Sequence, residues 1–468
     1  MRIATSTLFN VSRSGLQKHS VDQARLQEQL STGKRILTPS DDPIASARVL
    51  TINQSASINT QYSTNSDSAD SALRTTESTL SQVISVIQDV QTLAVNAGNP
   101  SLTVSEKKML DSELQGRYQE LLGLANGTDG NGVYLFSGFQ NSKPFTETSY
   151  GNVTYNGDEG QRLIQISSGR QIPVSENGVD VFQRIKNGNG TFITAVAGNN
   201  GAVPTATNKG SGIISPGEVV DPSKWNAVTN KDVRVQFYWQ ANTADSTKPV
   251  ITYDLIDNTT GNSLIDGTAT AGHTSGPRAY VDGGDIEFKQ LAGEVAVPAW
   301  DYGIKTSVSG TPVEIDPLTK APAATTGNPP VANTAGAADS FSIKASTNVD
   351  LFTTLGNFTA ALTSYTTDGA GKGQAAFQNQ LNGVMQSLNN ALNSVLTTQA
   401  SIGARMKETE SVQNTTEDLK LQYQKTLSTL EDLDYNAAIS DFAMNQMLLD
   451  ATRSSFSKVQ DLSLFKYI

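Results

Sequence analysis

From Phe377 to Leu433 the chain carries a seam in alternating steps of four and three: Phe377, Leu381, Val384, Leu388, Ala391, Val395, Thr398, Ile402, Arg405, Thr409, Val412, Thr416, Leu419, Tyr423, Thr426, Leu430 and Leu433. That period marks one face of an α-helix. Over about eight heptads it predicts a coiled-coil-like rod ~85 Å long at ~1.5 Å per residue. Thr and one Arg take several seam positions, so the stripe is only partly apolar. Several such helices must pack together to cover it.

Proline placement allows the same style of structure at both ends and forbids it in the middle. Of sixteen prolines, eleven lie between Pro204 and Pro330, with none from Ile44 to Asn99 and none from Val331 to Ile468. A proline inside a helix costs ~3 kcal/mol, so the proline-free stretches are where long helices fit. Asp42 caps the free amides of a helix whose first turn holds Pro43. Its later part carries Leu73, Thr76, Leu80, Val83, Ile87, Val90 and Ala94, and Gly98-Asn99-Pro100 stops it. Thr103-Val104-Ser105-Glu106 has capping-box spacing and opens a shorter helix through Leu110, Leu114, Tyr118, Leu121 and Ala125. After a glycine-rich loop, 133–136, 152–155 and 162–166 read as strands.

The extremities are amphipathic. Phe9, Ser12, Leu16, His19, Gln23, Leu26 and Leu30 share one seam; Tyr435, Ile439, Phe442, Gln446, Leu449, Phe456 and Val459 share another. Residues 462–468 are more apolar than a free tail should be. Chain ends fray unless tied down, so both ends read as surfaces to be buried, against each other and against copies of the chain. The subunit-interface residues expected from this pattern are Phe9, Leu16, Leu26, Leu30, Ile439, Phe442, Leu449, Phe456 and Val459. Isolated ends lack neighbours, so pairing is expected only on assembly.

The centre holds all three tryptophans, Trp225, Trp239 and Trp300, and reads as strands at 233–239, 250–256 and 285–288. It is an inserted β-rich domain, with 313–334 as a Pro/Ala/Thr/Gly linker or exposed loop.

Composition removes most chemistry. The chain has 468 residues and no cysteine, which excludes disulfides, thiolate nucleophiles and Cys metal sites. Only His19 and His273 are available for imidazole chemistry. His19, on a helical seam beside Gln23, reads as a polar notch fixing register, and His273 as a surface-loop residue. With 45 acidic against 34 basic residues and a net charge of -11, the surface does not suit nucleic acid. No apolar run is long enough to cross a membrane. The first residues lack a secretory signal pattern, so an exported chain would use another route. Gly127 and Gly132 have phosphate-loop spacing, but Val133 stands where lysine is required. Asp282-Gly283-Gly284-Asp285 reads as a hairpin turn rather than a calcium loop, and Asp41-Asp42 as a cap rather than an acid–base pair. The tryptophans fit ordinary β-domain packing ahead of a carbohydrate platform. No catalytic, cofactor-binding or metal-ligating residue is expected, and the chain is not expected to be an enzyme.

Two terminal segments carry a resemblance. Leu30-Ser31-Thr32-Gly33-Lys34-Arg35-Ile36 with Pro39-Ser40-Asp41-Asp42-Pro43-Ile44-Ala45 resembles the N-terminal signature of bacterial flagellins and their hook-associated relatives, and Ile402-Gly403-Ala404-Arg405 the matching C-terminal helix. Tyr134-Leu135-Phe136-Ser137-Gly138-Phe139, Tyr155-Asn156-Gly157-Asp158 and residues 456–468 are similar to the hook–filament junction branch. The resemblance covers about 1–185 and 350–468, and nothing transfers to the insert.

It implies an α+β fold in which long N- and C-terminal helices form a flagellin-like coiled-coil bundle around an inserted β-rich domain. Residues 1–40 and 434–468 would form a terminal, inner-tube domain. Residues 41–186 and 346–433 would form a helical bundle with short β-hairpins, and 187–345 the variable domain. The implied role is a structural adaptor at the hook–filament junction, with a filament subunit or a glycan-binding or enzymatic insert as alternatives. The implied partners are copies of itself in a ring, hook-associated protein 1, flagellin and a cytoplasmic export chaperone. The implied location is outside the cell, reached through the flagellar type III apparatus.

Overall fold

The computed structural model of the chain describes residues 5–197, 208–240, 250–266, 277–294, 299–314, 339–367 and 372–461. Helices α1 (Thr5–Thr32), α2 (Pro43–Ala97) and α3 (Val104–Ala125) lead into the strands β1 (Phe145–Ser149), β2 (Asn152–Tyr155), β3 (Leu163–Ser167) and β4 (Arg170–Pro173). A short helix α4 (Gly178–Phe182) precedes β5 (Ile185–Lys186). The β-rich middle comprises β6 (Phe192–Val196), β7 (Ile213–Ile214), β8 (Glu218–Val219), α5 (Pro222–Ala227), β9 (Asp232–Gln240), β10 (Val250–Asp257), β11 (Arg278–Ala279), β12 (Asp285–Lys289), β13 (Asp301–Ser309) and β14 (Ser340–Ala345). After β15 (Asn348–Val349) come α6 (Leu351–Ser364), α7 (Lys372–Glu431) and α8 (Tyr435–Asp461). The chain divides into two units, residues 1–70, 164–172 and 407–468 in one, 71–163 and 173–406 in the other.

Helix starts fall where side chains hold free amides. Asp42 Oδ1 accepts the Ala45 amide at 3.0 Å, with Pro43 as the first helical residue of α2. Thr103 and Glu106 close the capping box on α3, Glu106 Oε2 accepting the Thr103 amide at 2.7 Å. One device has no signature in the spacing. Lys107 is fully buried; its ammonium donates to Ala97 O at 2.7 Å, capping the last turn of α2, and sits 3.7 Å from the Phe377 ring centre and 4.3 Å from that of Tyr365.

In the larger unit, α2 and α7 run antiparallel. Gln91 Nε2 donates to Asn389 Oδ1, and Gln399 Nε2 to Glu77 Oε1, both at 2.9 Å. The α2 stripe from Leu73 to Ala94 is buried, as are Phe377, Leu381, Val384, Leu388, Ala391, Val395 and Ile402 of α7. Arg405 occupies its seam position without being a seam side chain. Its guanidinium reaches Glu176 at 2.6 Å and Pro173 O at 3.3 Å. Burial pushes the Glu176 carboxyl above the usual range, against the pull of Arg405. Helix α3 packs on α6, where Tyr118 meets Tyr150 and Phe352 with ring centres 4.4 and 6.0 Å apart.

The smaller unit uses the other half of α7, where the fully buried seam positions are threonines and Val412, Leu419, Tyr423 and Leu430 are half-buried. Thr409 and Thr416 are buried with Asn59 and Ser66, and Asn59 Nδ2 donates to Thr416 O at 2.7 Å. Outside this seam, Asn65 Nδ2 donates to Gln165 O at 2.8 Å, and Arg170 forks onto both Glu408 oxygens.

The β-rich middle is two antiparallel sheets around one core. One runs β11-β10-β9-β14-β6; the other runs β12-β13-β7, with β8 also on β13. Alternation on β9 sends Val233, Val235 and Phe237 inward to meet Phe341, Ile343 and Leu255. Trp225 is buried there against Phe192 and Tyr302, while Trp239 and Trp300 are half-buried, so the tryptophans form no exposed row.

Asparagines of α7 hold this region to the helices. Asn379 Oδ1 accepts the Ile214 amide at 2.9 Å while its Nδ2 donates to Gly212 O at 3.0 Å, so one side chain closes the free edge of β7 as a neighbouring strand would. Asn382 Nδ2 donates to Ile214 O at 3.4 Å, and Asn390 Nδ2 to Lys186 O at 2.6 Å.

The structure departs from the sequence reading in three places. Residues 133–136 are not a strand. Asp129 Oδ1 accepts the Asn131 and Val133 amides at 3.0 and 3.1 Å, turning the backbone so that Leu135 and Phe136 enter the core. Asp282–Asp285 is a turn, but it joins β11 and β12, which lie in different sheets, so it is not a hairpin. Strands β13 and β14, which carry much of the core, were not among the strands read from sequence. His273 and residues 315–334 of the expected linker lie outside the described residues.

Two outcomes follow from these contacts. Asn379→Leu orphans the Ile214 amide of β7 and the Gly212 carbonyl just before it, which should cost about 1–3 kcal/mol and speed amide exchange at Ile214, measured by hydrogen exchange. Asp339 is buried, accepts the Lys209 and Gly210 amides at 2.8 and 3.0 Å, and is pushed by burial from 3.8 to about 6. A carboxyl that holds its proton more tightly when folded stabilises the fold fully below its unfolded value, and that contribution fades as pH rises through 6. Chemical denaturation between pH 4 and 7 should show that slope, on the order of 2–3 kcal/mol, and Asp339→Asn should flatten it.

Candidate self-assembly surface

The amphipathic ends meet within one chain. Helix α1 lies antiparallel against α8, and the notch expected at His19 is present. His19 Nδ1 and Asn445 Oδ1 are 2.8 Å apart, and Asn445 Nδ2 donates to His19 O at 3.0 Å. The carboxamide oxygen accepts, so the ring proton sits on Nδ1. Asn445, not Gln23, completes the notch. The α8 seam keeps Phe442, Leu449 and Phe456 of the sequence reading but takes Ala438 in place of Ile439 and Asn445 in place of Gln446. Ala438, Phe442, Asn445, Leu449, Thr452 and Phe456 face inward in steps of four and three, and Gln446 faces out.

Of the expected interface residues, Leu16, Leu26, Leu30, Phe442 and Phe456 are half-buried and Leu449 is buried, all on α1 or α8. Ile439 is 55% exposed. The side chains of Phe9 and Val459 lie outside the described residues, as do residues 462–468. Pairing does not wait for assembly in this structure, because one chain already supplies both half-seams and a hydrogen-bonded register.

A second apolar stripe remains outside that pair. Met444, Met447, Leu448 and Ala451 recur at helical spacing and are exposed, Met447 by 68%. On α1, Val11 and Val21 are also exposed, and a groove of about 680 Å³ runs along Leu16, Val21 and Phe456 with Arg13 and Lys18 at its rim. Sequence reasoning missed this stripe because it followed one seam per helix; the methionines repeating between its seam positions were the available signal.

A clasp fixes the base of the pair. Gly33, at φ 72°, turns the chain out of α1 in the left-handed region that favours glycine. Leu433 N then donates to Gly33 O at 2.9 Å and Arg35 N to Glu431 O at 2.6 Å. The Arg35 guanidinium donates to Leu430 O at 2.9 Å, placing a cation on the carbonyl end of α7, and Lys34 pairs with Glu431 at 3.0 Å. Asp41 accepts the Leu37 and Thr38 amides at 3.0 and 2.9 Å; these bonds, with Arg25 nearby, hold its carboxyl below the usual range. Among the described residues, no group of three or more His, Cys, Asp or Glu is placed to hold a metal, and no helix is long and apolar enough to cross a membrane.

The fold is α+β, and comparison with known proteins shows what it resembles. Residues 3–141 match the bacterial flagellin N-terminal helical region. Flagellar hook-associated protein 3 of Salmonella typhimurium is 37% identical over 186 residues, 40% of this chain and 58% of that protein. Its Escherichia coli counterpart is 33% identical over 186 residues, with the same coverage of 40% and 58%. The match thus spans less than two thirds of those relatives. A crystal structure of flagellar hook associated protein-3 from Legionella pneumophila superposes with a TM-score of 0.65 at 25% identity, covering 82% of this chain and 98% of that one.

Asn445→Leu leaves the His19 carbonyl and ring proton without their partner. The α1–α8 pair should loosen by about 1–2 kcal/mol, seen as roughly tenfold faster amide exchange along residues 10–30 with no change at Ile214.

Proposed function

We propose that this protein is a structural subunit of the bacterial flagellum, an adaptor at the hook–filament junction that links hook-associated protein 1 to the flagellin filament. The observation that carries the reading is the α1–α8 pair, already closed on its inner side and still apolar on its outer side, in a chain similar to hook-associated protein 3. Copies stack their outer stripes into a ring, and apolar area removed from water supplies affinity at ~25 cal/mol per Å² before entropic costs. One end of the ring matches the junction subunit below, the other matches flagellin above. The chain acts outside the cell after passing unfolded through the flagellar type III apparatus, its ends shielded beforehand by an export chaperone. Its role is mechanical and templating, without catalysis.

Deletion of the gene followed by microscopy tests this. The expected result is hooks without filaments, flagellin shed into the medium, and loss of motility. The intact gene should restore filaments, and a Met447→Asp copy, which puts a charge in the outer stripe, should not. Normal filaments after deletion overturn the adaptor role. If this chain instead makes up the bulk of sheared flagella, it is a filament subunit.

A further inference from the structure

The structure locks together two segments of the larger unit that resemble motifs of the junction branch, Tyr134–Phe139 and Tyr155–Asp158. The Tyr155 hydroxyl lies 2.9 Å from the carbonyls of both Phe136 and Asp158. The Asp158 carboxylate accepts the amides of Phe139 and Gln140 at 3.0 Å and of Gly160 at 2.8 Å. Those bonds hold its carboxyl below the usual range. Gly138, at φ 72°, leaves no room for a side chain beside that carboxylate, and a Cβ on Gly160 would strike the Phe139 ring. All of this fixes one side chain that the fold does not bury: Phe139 is 67% exposed. An aromatic ring on a pre-ordered loop binds without first losing loop entropy, which is the character of an interface anchor.

The other end of α3 carries a socket. A groove of about 470 Å³ runs between the end of α2 and the start of α3, walled by Val95, Leu102, Met109 and Leu110. Its rim holds Glu106, whose carboxyl is held below the usual range by hydrogen bonds from Thr103 and so is ionised at neutral pH. Beside Phe139 in sequence stands the exposed Lys143, of opposite sign. Knob and socket belong to one unit; the Phe139 loop follows the C-terminus of α3, where Asn126 Oδ1 accepts the Phe145 amide, and the groove lies at its N-terminus, with the 22-residue helix, ~33 Å, between them. A single chain therefore cannot join them. Two copies can, head to tail.

We propose that the Phe139 loop of one copy docks in the Val95–Met109 groove of a second copy of this chain, with Lys143 facing Glu106. The contact gives assembly a direction that the terminal helices alone do not provide. It rests on the self-assembly reading above.

The absence of cysteine makes the test clean. Full-length chains carrying Gln140→Cys, an exposed position next to Phe139 that leaves the ring in place, are mixed with chains carrying Met109→Cys under mild oxidation, and sedimentation of the same samples reports association by any route. The expected result is a disulfide-linked pair formed at least tenfold faster in the mixture than with either variant alone. Adding Lys143→Glu to the first chain should slow it several-fold, a response that accidental collision would not show. In otherwise unaltered chains, Phe139→Ala should weaken association at least tenfold and Phe139→Tyr should largely preserve it, with thermal melting unchanged in both. Association without the mixed disulfide, or a disulfide yield indifferent to Lys143→Glu, overturns the docking while leaving self-assembly intact. No association under any condition overturns both.

Discussion

The contact on which the ends of the molecule depend is the one between Arg35 and the last carbonyls of α7. A helix C-terminus leaves carbonyls without partners and carries partial negative charge. Arg35 supplies a backbone donor to Glu431 and a guanidinium donor to Leu430, while Gly33 accepts from Leu433. The two strands of the chain thus pass each other as a short bridged pair before α1 and α8 separate from it. The register of the whole terminal pair is set here and checked again at His19 and Asn445. Without the first fixed point, the half-apolar seams beyond it could pair in more than one register.

The same long helix plays two parts according to what fills its seam. Phenylalanine, leucine and valine from Phe377 to Val395 belong to a unit whose other members are equally apolar, including the Tyr118, Tyr150 and Phe352 cluster. Thr409 and Thr416 are buried, and the bond from Asn59 to the Thr416 carbonyl supplies a hydrogen bond where the other half has apolar interlock. The β-rich middle is fastened by asparagine as well. Its attachment through Asn379 and Asn390 is polar and directional, so it holds an orientation where an apolar contact of the same size would permit sliding.

Period and capping made the helical framework legible before any coordinates. Asp42, the Thr103–Glu106 box and the stripe from Leu73 to Ala94 all stand where spacing places them, because these are local rules. The terminal pair was legible as two sticky faces, yet on α8 two seam positions, Ile439 and Gln446, were each read one residue past the buried Ala438 and Asn445. A 4–3 pattern cannot choose between neighbouring stripes when Ile439, Met444 and Leu449 are all apolar, and the partner decides. Long-range partners were not legible at all. Nothing in its own neighbourhood marks Lys107 as buried, since its aromatic cover comes from Tyr365 and Phe377. Arg405 likewise looked like a flaw in the seam until Glu176 appeared opposite it. The run at 133–136 had strand composition, and an aspartate four residues before its first member overrode it.

The threonine half of α7 has one more implication. Exposing the Thr409–Leu430 half to water forfeits less apolar area, because its fully buried positions are threonines and its apolar ones are only half-buried, and the hydrogen bonds given up are replaced by solvent. Exposing the Phe377–Ile402 half forfeits most of a hydrophobic core. Heat or load should therefore open α7 first along its Thr409–Leu430 half, while the Phe377–Ile402 half keeps its apolar core and serves as the template from which the helix rewinds.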